Sequence, residues 1–408
     1  MSITISILGL AALILLHEAG HFFVARAVGM SPRRFYIGFP PALVKVRRKG
    51  IEYGIGAIPL GGYVKIPGMH RPAPSDLDVR LGPALEEDPR LFPKVARIKR
   101  ALEASDLEAA RSALPELELA IGEAQLSPVS DRAAKRTLEE LQESLAEDAY
   151  WRQRTWKRVA VIFAGPGANI LLAISLPFVA YLIGVPGDPV RTVHSVKSNT
   201  PAARIGLQSG DKIVMVNGQP TRTFSAVSKS IRSSKGKPIT VTVIRHSEAK
   251  VLGPVRTKKI DGHYALGFEP GWQDVHYGPG GALSHSLDDT WQATKGIVTF
   301  LPRLVSGRDT KQVSSPVGIV DYSSRVISFN FPLYLQILGL ISISLAVLNL
   351  LPLLPLDGGH ILFSLIEGVR GRAVGREVYE RVSAVGIALF LVLMFIGLSN
   401  DIGRLGGG

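Results

Sequence analysis

No cysteine occurs among the 408 residues, which excludes disulfide scaffolds, thiol nucleophiles and Cys-type zinc sites. Aromatic residues make up only 7%, and the basic residues form no groove interleaved with aromatics on which bases could stack. The excess of 47 Lys+Arg over 34 Asp+Glu therefore does not read as a nucleic-acid footprint, and no nucleic-acid partner is expected. Charge itself is missing from four stretches. No charged side chain precedes His17, and none lies between Val159 and Gly187, between Val326 and Leu356, or between Val382 and Asn400. About 20 apolar residues cross a bilayer as a helix, so each stretch can span once.

The first stretch has no basic region before it and no small-residue cleavage site, and its helical character continues to Arg26. It is expected to be a span rather than a signal peptide. Basic residues cluster on one side of the spans: Arg26, Arg33 and Arg34 after the first, Arg152, Arg154, Lys157 and Arg158 before the second, and Arg370, Arg372, Arg376 and Arg381 between the third and fourth. This asymmetry predicts both termini outside the cytoplasm, with the loops 29–157 and 367–381 inside.

Ionisable groups inside a span cost roughly 2.5 to 3.5 kcal/mol each on insertion scales, so their presence needs a reason. His17-Glu18-Ala19-Gly20-His21 is H-E-x-x-H on a helix. Imidazoles four residues apart share a face about one turn apart and can hold one zinc ion, while Glu18, about 100° round, can reach an attacking water. Such a centre polarises a scissile carbonyl, and Glu18 carries a proton from water to the leaving amine. The alternative is a pair of buried, hydrogen-bonded histidines with an unrelated glutamate. Two histidines also leave a catalytic zinc one protein ligand short.

A third ligand is available in Asn349-Leu-Leu-Pro352-Leu-Leu-Pro355-Leu-Asp357-Gly358-Gly359-His360. Taken alone, Asp357 reads as a helix-end charge at the membrane surface. Set beside the first motif, it supplies the missing oxygen. The prolines break the helix and free backbone groups, which a membrane tolerates only where protein or a wet cavity satisfies them. Gly358 and Gly359 allow the broken end to approach the first helix, and His360, past both glycines, is expected to face elsewhere.

These residues carry a resemblance to the site-2 protease family of intramembrane zinc metalloproteases, in its bacterial branch with a PDZ domain. The match extends through Pro59-Leu-Gly-Gly-Tyr-Val-Lys65, Phe163-Ala-Gly-Pro-Gly-Ala-Asn169, Ser315-Pro-Val-Gly-Ile319 and the Asn349 to Gly359 motif. The resemblance implies one zinc ion per chain on His17, His21 and Asp357, with Glu18 as base, and cleavage of peptide bonds within or near the membrane. Residues 43–66 read as paired strands with a turn at Lys49-Gly50. By resemblance they form a membrane-associated β-hairpin, where Gly61, Gly62 and Tyr63 would help add the substrate as an extra strand; a plain cytoplasmic hairpin is the alternative. Asn349 is similar to a family asparagine that holds substrate backbone. For Asn169 two roles stand open, substrate binding and helix packing. Two departures, Gly38-Phe-Pro-Pro41 and the displaced Pro355, bear on loop shape and substrate choice.

The expected fold is a multi-pass α-helical membrane protein with four transmembrane helices, a membrane-associated β-hairpin and an inserted α+β PDZ domain. Its parts are a first transmembrane helix over 1–28, the hairpin region over 29–70, a charged helical cytoplasmic insertion over 71–155, a second helix over 156–186, the PDZ domain over 187–270, a linker with an amphipathic helix over 271–325, a third helix over 326–366, a cytoplasmic loop over 367–381 and a fourth helix over 382–400. The insertion, with Pro115 and Pro128 as breaks, reads as a small helical hairpin. The stripe Leu283, Leu287, Trp291, Thr294, Val298 and Leu301 either lies on the outer membrane surface or packs on the PDZ domain. The PDZ domain either binds peptide or filters substrates by size.

The expected function is intramembrane zinc proteolysis of single-pass membrane proteins in a regulatory cascade, such as anti-sigma factor release, in the cell membrane. The PDZ domain and both termini are then extracytoplasmic and the site lies towards the cytoplasm. The competing classes are a catalytically inactive PDZ membrane scaffold and a metal transporter.

Overall fold

The structure, a computed structural model, describes residues 1–260 and 262–406. Four of its helices are long and apolar enough to cross a membrane. Contacts divide the chain into two compact units, one of residues 1–177 and 286–408 and the other of residues 178–285.

The larger unit opens with helix α1, Ser2–Ala27. At 1.5 Å per residue it is about 39 Å long, more than a hydrocarbon core requires. Its buried residues Ser6, Leu13, His17, His21 and Ala25, with Phe22 beside them, recur at multiples of about one turn and form one stripe. The rest of its surface, including Ile3, Ile7, Leu8 and Phe23, is apolar and exposed, as a lipid-facing helix would be.

Strands β1 (Arg34–Arg48) and β2 (Ile51–Lys65) follow. Lys49 and Gly50 both take positive φ, 50° and 80°, the backbone of a two-residue hairpin turn and the turn expected at that pair. The register is doubled, because Arg34 to Ile37 pair both with Glu52 to Ile55 and with Gly62 to Lys65. Residues 42–48 and 61–65 are thereby left on opposite outer edges.

The insertion is not a two-helix hairpin. It contains five helices, α2 (Pro74–Glu87), α3 (Phe92–Glu103), α4 (Leu107–Ser112), α5 (Leu114–Glu123) and α6 (Pro128–Leu145). They share a core that includes Leu77, Leu81, Ile98, Leu117, Ile121 and Leu145. Pro115 and Pro128 do not interrupt helices; they sit in the first turns of α5 and α6, where the missing N–H costs nothing.

Helix α7 (Thr155–Ile183) starts in the larger unit and ends in the smaller one. The smaller unit contains β3 (Val185–Val196), α8 (Pro201–Arg204), β4 (Lys212–Val216), β5 (Gln219–Pro220), α9 (Phe224–Ser233), β6 (Pro238–Arg245), β7 (Glu248–Arg256), β8 (Lys258–Ile260), β9 (His263–Ala265) and β10 (Phe268–Val275). Its main sheet runs β10-β3-β4-β6-β7, with β5 on β4, so β10 is an edge strand. Buried and less buried residues alternate in β6, where Ile239, Val241 and Val243 are buried. Asn217 and Gly218 turn with φ of 51° and 72°. The buried Asp211 is held by the Arg245 guanidinium at 2.7 Å through each carboxylate oxygen.

Helix α10 (Pro279–Val305) leaves the smaller unit. Its Leu283, Leu287, Trp291 and Val298 are exposed, whereas Ala293 and Ile297 pack with Ala173, Ile343 and Ala346. The uncharged run beginning at Val326 is divided between helices. Helix α11 (Pro316–Phe329) ends, and α12 (Phe331–Asn349) begins with Asn330 as N-cap, its side chain accepting from the Leu333 N–H at 2.8 Å. After the Pro352 and Pro355 loop come α13 (Asp357–Arg370) and α14 (Arg376–Gly406). The Ser315-Pro316 start of α11 is fixed by Asp401 of α14, which accepts from the N–H groups of Ser315 and Gly318 at 2.7 and 3.1 Å.

Candidate metal centre

Three elements meet at His17. Helix α1 contributes His17 and His21, α7 crosses it, and α13 brings Asp357 as its first residue. The crossing of α1 and α7 is close because Gly20 faces the Ala164 carbonyl and Gly165 faces both imidazoles; a methyl group at Gly165 would overlap the His21 ring. At Gly358 and Gly359 an added methyl would strike the backbone of Leu350 to Leu354. The proline loop therefore folds directly onto the first turn of α13. At that turn the positive end of the helix dipole favours the Asp357 carboxylate.

Helix α13 is also tied to α7 further along. Arg158 donates to Glu367 at 2.6 Å and to the Ser364 carbonyl at 3.4 Å, and Glu367 accepts from the Val374 N–H at 2.9 Å. The Tyr150 hydroxyl meets Ser364 Oγ at 3.0 Å. Both members of the Arg158–Glu367 pair are largely buried.

His17 Nε2 and His21 Nε2 lie 3.3 Å apart, and Asp357 Oδ2 lies 3.2 Å from the first and 3.5 Å from the second. Ligand atoms bound at about 2.0–2.1 Å around a tetrahedral zinc stand about 3.3 Å from each other. The three donors thus already have the mutual spacing of three corners of a zinc tetrahedron. Asp357 Oδ2 is buried, and despite its proximity to both imidazoles it makes no hydrogen bond of good geometry. An unsatisfied buried carboxylate oxygen facing two imidazole nitrogens fits a cation between them. Among the described residues this is the one group of three that could hold a metal; His360 is not part of it.

The supporting contacts differ for the two histidines. His21 Nδ1 is 2.8 Å from the Val161 carbonyl, which can only accept, so Nδ1 carries the proton and Nε2 keeps its lone pair. His17 Nδ1 is 3.2 Å from the side-chain amide of Asn169. Sequence reasoning missed both Val161, a backbone contact with no side-chain signature, and the pairing of Asn169 with His17, although the Gly-Pro-Gly-Ala-Asn motif marked the right helix.

Glu18 lies next to His17, half-buried, within electrostatic range of His17, His21 and Asp357 and close to the Val64 backbone. Gly62 presses so closely on Glu18 that a methyl group there would overlap its side chain. Residues 61–65 thus form an edge of the hairpin against the acid. Gly61 has a φ of 144°, and Tyr63 is half-buried with its ring 6.4 Å from that of Tyr36. Asn349, at the end of α12, is half-buried, and its side chain makes no hydrogen bond among the described residues.

The sequence profile of peptidase family M50 matches residues 5–393. The chain belongs to peptidase family M50. Among its relatives, the zinc metalloprotease RasP of Bacillus licheniformis is 29% identical over 420 residues, covering 98% of each chain. The zinc metalloprotease RasP of Oceanobacillus iheyensis is 28% identical over 421 residues, again with 98% of each covered. The regulator of sigma-W protease RasP of Bacillus subtilis is 27% identical over 412 residues, with 96% of each covered. As an M50 peptidase the chain is a membrane zinc metalloprotease of the site-2 type and acts in intramembrane proteolysis.

Proposed function

We propose that His17, His21 and Asp357 hold the M50 zinc and that Glu18 is the general base, in an enzyme that cuts single-pass membrane proteins. The observation that carries this reading is the spacing of the three donors, 3.2 to 3.5 Å, where the long, largely apolar helix α1 meets the first turn of α13. Bound zinc supplies a Lewis acid that polarises a carbonyl and makes water easier to deprotonate. Glu18 takes the proton from the attacking water and delivers it to the leaving amine.

A helical substrate hides its carbonyls in its own hydrogen bonds, so it must be extended before cleavage. The edge at residues 61–65 suits that task. Gly62 packs directly against the Glu18 side chain, and the two-residue alternation of a strand points the Gly62 and Val64 N–H groups to the same side. Gly61 and Gly62 keep this edge narrow, Tyr63 flanks it, and the unpartnered amide of Asn349 can donate to and accept from an extended backbone.

The unit of residues 178–285 acts as an extracytoplasmic PDZ domain in this proposal, with β10 as the edge to which a peptide adds. Both chain termini are extracytoplasmic by the distribution of Lys and Arg, and the exposed stripe of α10 rests on the bilayer. The substrates are membrane-anchored regulators such as anti-sigma factors, in keeping with the sigma-W regulator name of the Bacillus subtilis relative.

The deciding experiment is Glu18→Gln in the full-length protein. It should keep stoichiometric zinc and lose cleavage of a model transmembrane substrate by about 100-fold or more. Retained turnover would remove Glu18 as the base. The same inactive variant, used to trap bound membrane proteins in cells, would identify the substrates.

A further inference from the structure

Asn169 is completely buried, at 0% exposure, in the middle of α7. Its backbone carbonyl accepts from Ser342 Oγ of α12 at 2.9 Å, which fixes its position but leaves its side chain to other partners. The side-chain amide lies 3.2 Å from His17 Nδ1, and its other polar atom, Oδ1, is buried without a partner. One end of the amide is therefore engaged by the imidazole, and the other end by nothing.

Which end faces Nδ1 has a chemical consequence. With Nδ2 towards the ring, as drawn, the amide donates and His17 Nδ1 must be the bare nitrogen, so the ring proton sits on Nε2. Nε2 is the atom that faces His21 and Asp357 and has to offer its lone pair to a metal. A half-turn of the amide, invisible in shape, puts Oδ1 on Nδ1, and the ring proton then moves to Nδ1. No donor reaches Oδ1 in the first orientation, so the half-turn breaks no hydrogen bond at the outer end of the amide. His21 has no such choice, because the Val161 carbonyl already fixes its proton on Nδ1.

We infer that Asn169 is a positioning residue for zinc: its amide oxygen accepts the His17 Nδ1 proton in the metal-loaded enzyme and so selects the tautomer in which Nε2 binds. This rests on the reading of His17 as a ligand. Acceptors behind ligating histidines characteristically change metal affinity by 10- to 100-fold. In the metal-free chain the same amide can instead donate to Nδ1, a pairing that neither an aspartate nor a leucine can reproduce.

The test compares zinc dissociation constants, measured on full-length detergent-solubilised protein by competition with a chromophoric chelator. Asn169→Leu keeps the size and removes the acceptor, and should weaken zinc by about 10- to 100-fold. Asn169→Asp offers only acceptor oxygens and should hold zinc within a few-fold of wild type. If Asn169→Asp weakens zinc as much as Asn169→Leu, or if Asn169→Leu binds like wild type, the inference is overturned. A wild-type chain that binds no zinc would instead overturn the ligand reading beneath it.

Discussion

The helical insertion and the membrane helices are patterned in opposite senses. In the insertion, Leu77, Ile98, Leu117 and Leu145 are inside and the ion pairs lie at the surface, Arg97 and Glu116 each being 54% exposed. In the membrane helices large apolar residues line the outside, among them Phe23, Leu171, Phe390 and Phe395, although others such as Leu13 and Ile343 pack between helices. Polar residues of these helices, among them Ser6, His17, His21, Asn169 and Ser342, are inside. In water, burying apolar surface stabilises the fold, so a buried leucine reports on stability. In lipid that driving force is absent between helices, and a buried polar group reports on contacts the helices were selected to make.

The contrast predicts that charged side chains differ greatly in importance between the two regions. The largest effect is expected at Asp357. Asp357→Ala should reduce bound zinc to background and abolish peptidase activity, as measured by metal content and cleavage of a transmembrane reporter; full zinc occupancy in this variant would remove Asp357 from the ligand set. Next is the buried pair that ties α13 to α7. Arg158→Met leaves Glu367 uncompensated and should cost about 3–5 kcal/mol, read as a lowered unfolding midpoint in detergent. The double variant Arg158→Met/Glu367→Met should recover much of that loss. If the single variant is neutral, the polar interior is not under the tension the comparison assigns to it.

A smaller effect is expected in the unit of residues 178–285, outside the spans. Burial would raise the Asp211 carboxyl, but the two bonds from Arg245 and the Gln208 N–H outweigh it and hold the group below the usual carboxylate range. Because the folded value lies below the unfolded one of about 3.9, this stabilisation is complete above that pH and fades as pH falls through the folded value. Hydrogen exchange of the amides of β4 and β6 should accelerate only towards that acidic range, and Asp211→Asn should remove the dependence. The smallest effect belongs to the surface of the insertion, where Arg97→Ala should change stability by about 0–1 kcal/mol.

Much of the site was legible because its cost is written in composition. His17, Glu18 and His21 interrupt an apolar run, and Asp357 closes another, so each stands out against residues that would cross a membrane more cheaply. The four apolar helices were legible for the same reason. What stayed hidden depended on partners distant in sequence or on signals read with the wrong sign. Pro115 and Pro128, read as breaks within a hairpin, stand in the first turns of α5 and α6, two of five helices. The division between α11 and α12 lay in Asn330 and Pro332, a capping signal inside an uncharged run. Strand β1 begins at Arg34, earlier than the alternation at residues 43–48 suggested, because its first residues take their partners from both ends of β2. The contacts of Val161 with His21 and of Val64 with Glu18 involve backbone groups, and no residue type announces them.

The donors proposed for the metal lie far apart in the polypeptide: His21 belongs to the first helix, and Asp357 follows it by 336 positions (357 − 21). A ribosome therefore finishes the hairpin, the insertion, three of the four long apolar helices and the whole smaller unit before the carboxylate exists. Until then the nascent chain holds two imidazoles and a glutamate with no third donor. If these residues are the cutting centre, the order of synthesis leaves it incomplete until most of the chain has been made.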